Sequence, residues 1–185
     1  RACRWELPGA FSITYNIPKR RPVMAESRYE KYVVRKPAIV TSDYKDLIPE
    51  TDEIPVTSDV DTGPRVIFSP DRVKEGNSIV EYGIITGDVT IGDGYVTEPH
   101  KHDYEEIFLF LGTDPKNTAD LGAEVEFWLG EGEERDRVIF NTSSSIYVPP
   151  GLAHFPQIWR NVFRPVMTVV IMPGSRQRII KSVSL

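Results

Sequence analysis

The sequence predicts an all-β domain, a two-sheet sandwich or barrel preceded by an extended N-terminal arm. Three observations carry that expectation. From about residue 64 the chain breaks into short runs rich in Val, Ile, Tyr and Phe, the composition of half-buried strands. Turn-forming clusters punctuate the runs: GD at 87–88, GDG at 92–94, GTDPKN at 112–117, GEGEERD at 130–136 and PPG at 149–151. No window of 12 or more residues carries an apolar period near that of a helix, which confines helix to one turn near 71–76. Internal duplication is absent, so a single core is expected.

Taken in chain order, residues 1–63 form the arm. Pro8, Pro18, Pro22, Pro37, Pro49 and Pro55 each remove a ladder donor, so any strand there is short or at an edge. The apolar patches at 32–34 (YVV) and 38–40 (AIV) suit packing on the barrel or on a neighbouring subunit. Residues 64–175 make the barrel, with strands expected at 65–69, 78–85, 88–91, 95–100, 105–111, 123–129, 137–140, 145–149 and 165–172. Residues 176–185 are a C-terminal tail.

The chain of 185 residues is 40% hydrophobic and 26% charged, a globular composition rather than a disordered one. Its formal charge of −5, with Lys and Arg scattered, provides no phosphate-tracking surface, and nucleic acid is excluded as a partner. No run of 18 apolar residues occurs, so no membrane association is expected. The start, RACRWELPGAF, lacks a secretory layout, and Cys3 alone cannot form an intrachain disulfide; both suit the cytoplasm. Arg1 stands where a Met would start a chain, which leaves a removed leader open.

The segment from Gly94 to Gly112 contains His100, His102 and Glu106. On a strand, positions two apart share a face, so these three side chains point to one side together with Phe108 and Phe110. Ile107, Leu109 and Leu111 then face the other way. The segment from Tyr147 to His154 reads as a strand end, a Pro-Pro-Gly turn and a histidine on the returning chain. All three histidines of the protein fall in these two segments. Three imidazoles and one carboxylate suit a divalent transition metal with coordination positions to spare. Glu105 is a rival to Glu106 that strand parity disfavours.

On these residues the sequence resembles the cupin superfamily. Gly94, His100, His102 and Glu106 match its first motif, with Gly112 one residue early; Pro149, Gly151 and His154 match its second. Ser143 and Ile158 stand where that motif has Gly and Asn. The resemblance spans roughly residues 64–173 and implies a cupin-type jelly-roll barrel. It also implies one divalent metal held by His100, His102, Glu106 and His154, with Fe(II) foremost and Mn, Zn, Ni or Co as alternatives. The implied activity is that of a non-haem Fe(II) dioxygenase acting on a small enolisable or aromatic acid or carbonyl substrate. An isomerase, lyase or decarboxylase of the same fold, or a non-catalytic binding or structural subunit, is the alternative, since fold does not select among them. Relatives commonly pair, so a homodimer is expected.

Tyr104 shares the ligand parity and Tyr147 enters the Pro-Pro-Gly turn, which makes both candidates for contact with a bound oxygen, against rim and core-packing roles respectively. Phe108, Phe110, Phe127 and Trp128 are pocket or core aromatics. Arg65, Arg160 and Arg164 are carboxylate clamps or solvated surface residues. GEGEERDR at 130–137 lacks the alternating ligands of a calcium loop and reads as a solvated hairpin. No phosphate-cradling GxxxxGK[ST], nucleophile-elbow GxSxG or dinucleotide-binding GxGxxG is present.

Overall fold

A computed structural model describes residues 27–35, 65–92 and 99–174, together with the backbone strands 38–40, 47–49 and 180–182. The chain divides into two compact units, Arg1–Glu30 and Lys31–Leu185, and both sheets belong to the second. Most of the arm and of the C-terminal tail lies outside the described residues. Within the arm, β1 (Ala38–Val40) pairs antiparallel with β2 (Leu47–Pro49) and with β3 (Arg65–Phe68), extending the first sheet at its edge.

The remaining elements are β4 (Ser78–Ile85), β5 (Val89–Ile91), β6 (His100–His102), β7 (Glu106–Gly112), β8 (Asp120–Leu129), β9 (Asp136–Thr142), β10 (Ser144–Val148), β11 (His154–Arg160), β12 (Val166–Pro173) and β13 (Ile180–Ser182). They form a seven-stranded sheet ordered β10-β7-β12-β4-β3-β1-β2 and a six-stranded sheet ordered β13-β6-β11-β8-β9, in which β5 also pairs β11. Among the described residues the only helical pieces are 3-10 turns at Glu30–Tyr32 and Gly132–Glu134. The expected helical turn at 71–76 is a series of hydrogen-bonded turns, Val73 N to Ser69 O and Gly76 N to Val73 O among them. None of the described helices is long and apolar enough to cross a membrane.

Strand alternation builds the core. β7 reads buried, half-buried, buried from Glu106 to Phe110, sending Phe108 and Phe110 inward and Ile107 and Leu109 outward. From the opposite sheet come Leu121, Ala123, Val125 and Phe127 of β8 and Trp159 of β11; β10 and β12 contribute Val148 and Val166. Trp159, Phe110 and Phe127 are almost fully withdrawn from water, and each such burial contributes about 1.5–3 kcal/mol. The fold is therefore a two-layer β-sandwich of antiparallel sheets, as the strand pattern predicts.

Of the strand expected at 95–100, residues 95–98 lie outside the described ones, and residue 100 opens β6. One expectation needs correction. β11 was not expected at all, because Pro156 interrupts the run HFPQIWR, yet the strand forms around a register shift between His154 and Gln157. That irregularity absorbs the position where proline cannot donate.

Candidate metal centre

Strand pairing brings the two motif segments together. β6 lies against β11 with His100 directly opposite His154. β10 lies against β7 with Val148 opposite Glu106, so the turn after β10 starts beside the glutamate. In that turn Leu152 N donates to Pro149 O at 3.2 Å, and Gly151 at the third position has φ +84. This is the geometry a type II turn demands of glycine. Gly151 N then donates to the His102 carbonyl at 2.8 Å, fastening the second segment to the first.

The result is a trio of histidines whose ligand atoms all lie within 4.8 Å of one another: His100, His102 and His154. Ring centroids are 4.4 Å apart for His100 and His154 and 5.1 Å for His102 and His154. His102 and His154 are buried, while His100 is half-buried. Glu106, also buried, stands beside the trio: its Oε2 is 2.9 Å from His102 Nε2 and 3.0 Å from His154 Nε2. The expected four-ligand set is thus three histidines that meet, with the carboxylate reaching two of them.

The other ring nitrogens show what this arrangement asks for. His102 Nδ1 is 2.6 Å from the Tyr104 carbonyl and His154 Nδ1 is 3.3 Å from the Leu152 carbonyl. A carbonyl only accepts, so these contacts assign a ring proton to Nδ1 and leave Nε2 of each ring aimed at Glu106. Each Nε2 then meets the carboxylate oxygen either with a second ring proton or across a shared metal ion. His154 Nε2, at 3.0 Å from that oxygen, is buried and does not meet the geometry of a hydrogen bond. Carbonyl-oriented imidazoles are how proteins hold metal ligands in one tautomer, and this donor set fits a divalent transition metal. Burial works to raise the Glu106 pKa, and proton donation and positive charge at the His102 and His154 nitrogens outweigh it and hold it down at about 2.

Tyr104 is buried, and its ring lies parallel to His102 with centroids 3.9 Å apart. It covers one face of the His102 ring. Tyr147 is placed elsewhere than expected: it is 54% exposed on the outer face of the first sheet, and its hydroxyl donates to Glu105 Oε2 at 2.9 Å. Alternation explains this, because Val148 takes the inward position of β10. The same contact places Glu105, the rival ligand, away from the histidines.

Phe108, Phe110 and Phe127 are core, and Phe108 also touches the site, its centroid 5.9 Å from that of His154. Trp128 is neither pocket nor core: it lies beneath Arg135 at 4.5 Å, and its Nε1 donates to Glu126 at 2.7 Å. The arginines do not clamp the site. Arg160 donates to Glu126 at 2.9 Å, and Arg164 donates to Asp120 at 2.6 Å. Arg65 pairs with Tyr82 on the outward parity, next to inward Val66.

One residue against the site was missed. Phe155 packs its ring 5.3 Å from His100 and 5.1 Å from His154. Its direction is set by the register shift of β11 against β8, which residue order does not express.

Two antiparallel sheets, with a His-x-His strand and a Pro-x-Gly turn delivering three histidines to one point, decide the architecture. The fold is of the cupin type. No protein-family model and no curated protein matches the chain. Among solved structures it is similar to an oxalate oxidase in complex with the substrate analogue glycolate, at 14% identity over 58% of this chain and 46% of that one, with a TM-score of 0.40. It is similar to vicilin from Corylus avellana (hazelnut), at 13% identity over 69% of this chain and 33% of that one, with a TM-score of 0.48. An oxalate decarboxylase gives 10% identity over 71% of this chain and 30% of that one, with a TM-score of 0.48. The cupin-type chain spans less than half the length of each of these three.

Proposed function

We propose that this cupin-type protein is a metal-dependent enzyme, a non-haem Fe(II) dioxygenase acting on a small enolisable or aromatic acid or carbonyl compound. The observation that carries the reading is the convergence of His102 Nε2 and His154 Nε2 on one Glu106 oxygen, with His100 completing the trio. A divalent ion held there supplies Lewis-acid polarisation of substrate oxygens and, if it is iron, a means of engaging O2.

The protein's own residues supply the rest. The carbonyls of Tyr104 and Leu152 fix the ring orientations of His102 and His154. Glu106, ionised, holds negative charge against both rings and limits the net charge of the site. The stacked Tyr104 ring keeps His102 from rotating. Phe108 and Phe127, pressed together at 5.1 Å, form an apolar floor that keeps water from the reacting centre.

The test is O2 uptake by Fe(II)-reconstituted protein across a panel of enolisable and aromatic acids. Substrate-dependent uptake is expected. Substrate turnover without uptake would replace the oxygenase reading with an isomerase, lyase or decarboxylase. A bound metal that no panel member perturbs spectroscopically would mark a binding or structural subunit.

A further inference from the structure

Among the described residues two that are not glycine have positive φ, Asn161 at 54° and Phe155 at 79°. Asparagine visits that region readily; phenylalanine does not, and a bulky residue held there is strained. The strain has a visible product. β11 pairs Trp159 with Val125 and Gln157 with Phe127, a count that reaches Leu129 opposite residue 155; instead His154 lies opposite Leu129. One extra residue has been taken up, and Phe155 and His154, though adjacent, both face the interior.

The Phe155 ring is ringed by site and core aromatics: His154 at 5.1 Å, His100 at 5.3 Å, Phe108 at 5.9 Å and Phe127 at 6.0 Å. Clearance on its backbone side is provided by Gly92, where an added Cβ would approach Phe155 Cβ to 2.6 Å. Gly92 itself has φ +86. Phe155 and His100 are half-buried, whereas His102, His154, Phe108 and Phe127 are buried. The two half-buried members of this cluster, Phe155 and His100, lie against each other.

We propose that Phe155 is the specificity-determining wall of this site. Its ring sets the size of the carboxylate-bearing ligand admitted beside His100 and His154. The inference rests on the metal-binding reading above. A bulge that re-aims a side chain beside a functional site is a recurrent use of that irregularity, and local strain held in place by its surroundings concentrates at such sites.

The test uses the full chain loaded with Co(II), its visible absorption titrated with acetate, benzoate and 1-naphthoate. Phe155→Gly removes the ring while suiting the positive φ, and Phe155→Leu keeps an apolar side chain of smaller girth. Both variants should retain parent cobalt content. The affinity ratio of 1-naphthoate to acetate should rise about tenfold in Phe155→Gly, the order of effect that reshaping an apolar pocket produces, and by less in Phe155→Leu. Gly92→Ala, which drives the ring from its place, should shift the ratio in the same direction. An unchanged or lowered ratio in Phe155→Gly with cobalt retained overturns the assignment and leaves the metal reading intact. Loss of cobalt from both Phe155 variants overturns it by making Phe155 a support of the histidines. A parent chain that takes up no cobalt removes both readings.

Discussion

β7 and β11 both deliver residues to the histidine site, and they do so by opposite means. β7 is a regular strand: Glu106, Phe108 and Phe110 follow one another inward at every second residue. β11 is irregular: a register shift after His154 and a positive φ at Phe155 break the alternation, so that adjacent residues face the same interior. In β7, position along the chain dictates direction. In β11, backbone distortion dictates it, at a cost of roughly 1–3 kcal/mol for a residue held in so sparsely populated a region. The regular strand supplies the core and a carboxylate; the distorted one crowds a histidine and an aromatic ring into one spot.

The contrast can be broken first at β7. Phe110→Ala removes a ring that is 1% exposed and packed against Phe127, Phe140 and Trp159. It should cost about 3–5 kcal/mol in chemical denaturation. A loss under about 1 kcal/mol would show that the two sheets are not packed as described. Next comes Glu106→Gln, which keeps the shape and removes the charge that faces His102 and His154. Metal affinity measured by chelator competition should fall about 10–100-fold, and equal affinity would separate Glu106 from the site.

A smaller effect is expected on the outer face of β8 and β11. There Glu126 takes hydrogen bonds from Arg160 at 2.9 Å and Trp128 at 2.7 Å. The Arg160 contact leads in holding its pKa below the usual 4.5, against burial. With the folded value depressed, its contribution is complete above about 4.5 and is lost as pH falls through the folded value. Thermal scans should show Glu126→Gln with a flatter acid limb than the parent; superimposable limbs would remove Glu126 from the stability of that face. Least of all should follow from Tyr147→Phe, which deletes an exposed hydrogen bond to Glu105. Stability should stay indistinguishable from the parent's, and metal content should not change. A drop in metal content would return Tyr147 to the site.

What was legible in the sequence follows the same division. The alternation of β7, the parity that sets Glu106 inward and Glu105 outward, and the Pro-Pro-Gly turn are local properties that residue order expresses directly. Tyr147 reads as a site candidate from its place beside the turn, yet alternation along β10 gives the inward position to Val148. β11 was hidden because proline argues against a strand and nothing local announces a bulge. Phe155 was hidden with it, since its direction depends on the pairing partner β8 rather than on its neighbours in sequence. Trp128 and Arg160 reach Glu126 across two strands, a relation that no single run of residues contains.

The central claim is that His100, His102 and His154 meet to hold one divalent cation. Elemental analysis of protein purified without chelator, for the parent beside His100→Ala and His154→Ala, tests it most directly. Close to one transition-metal ion per parent chain and close to none in either variant is the expected result. Equal iron, manganese, zinc, nickel and cobalt content in all three proteins would contradict the account.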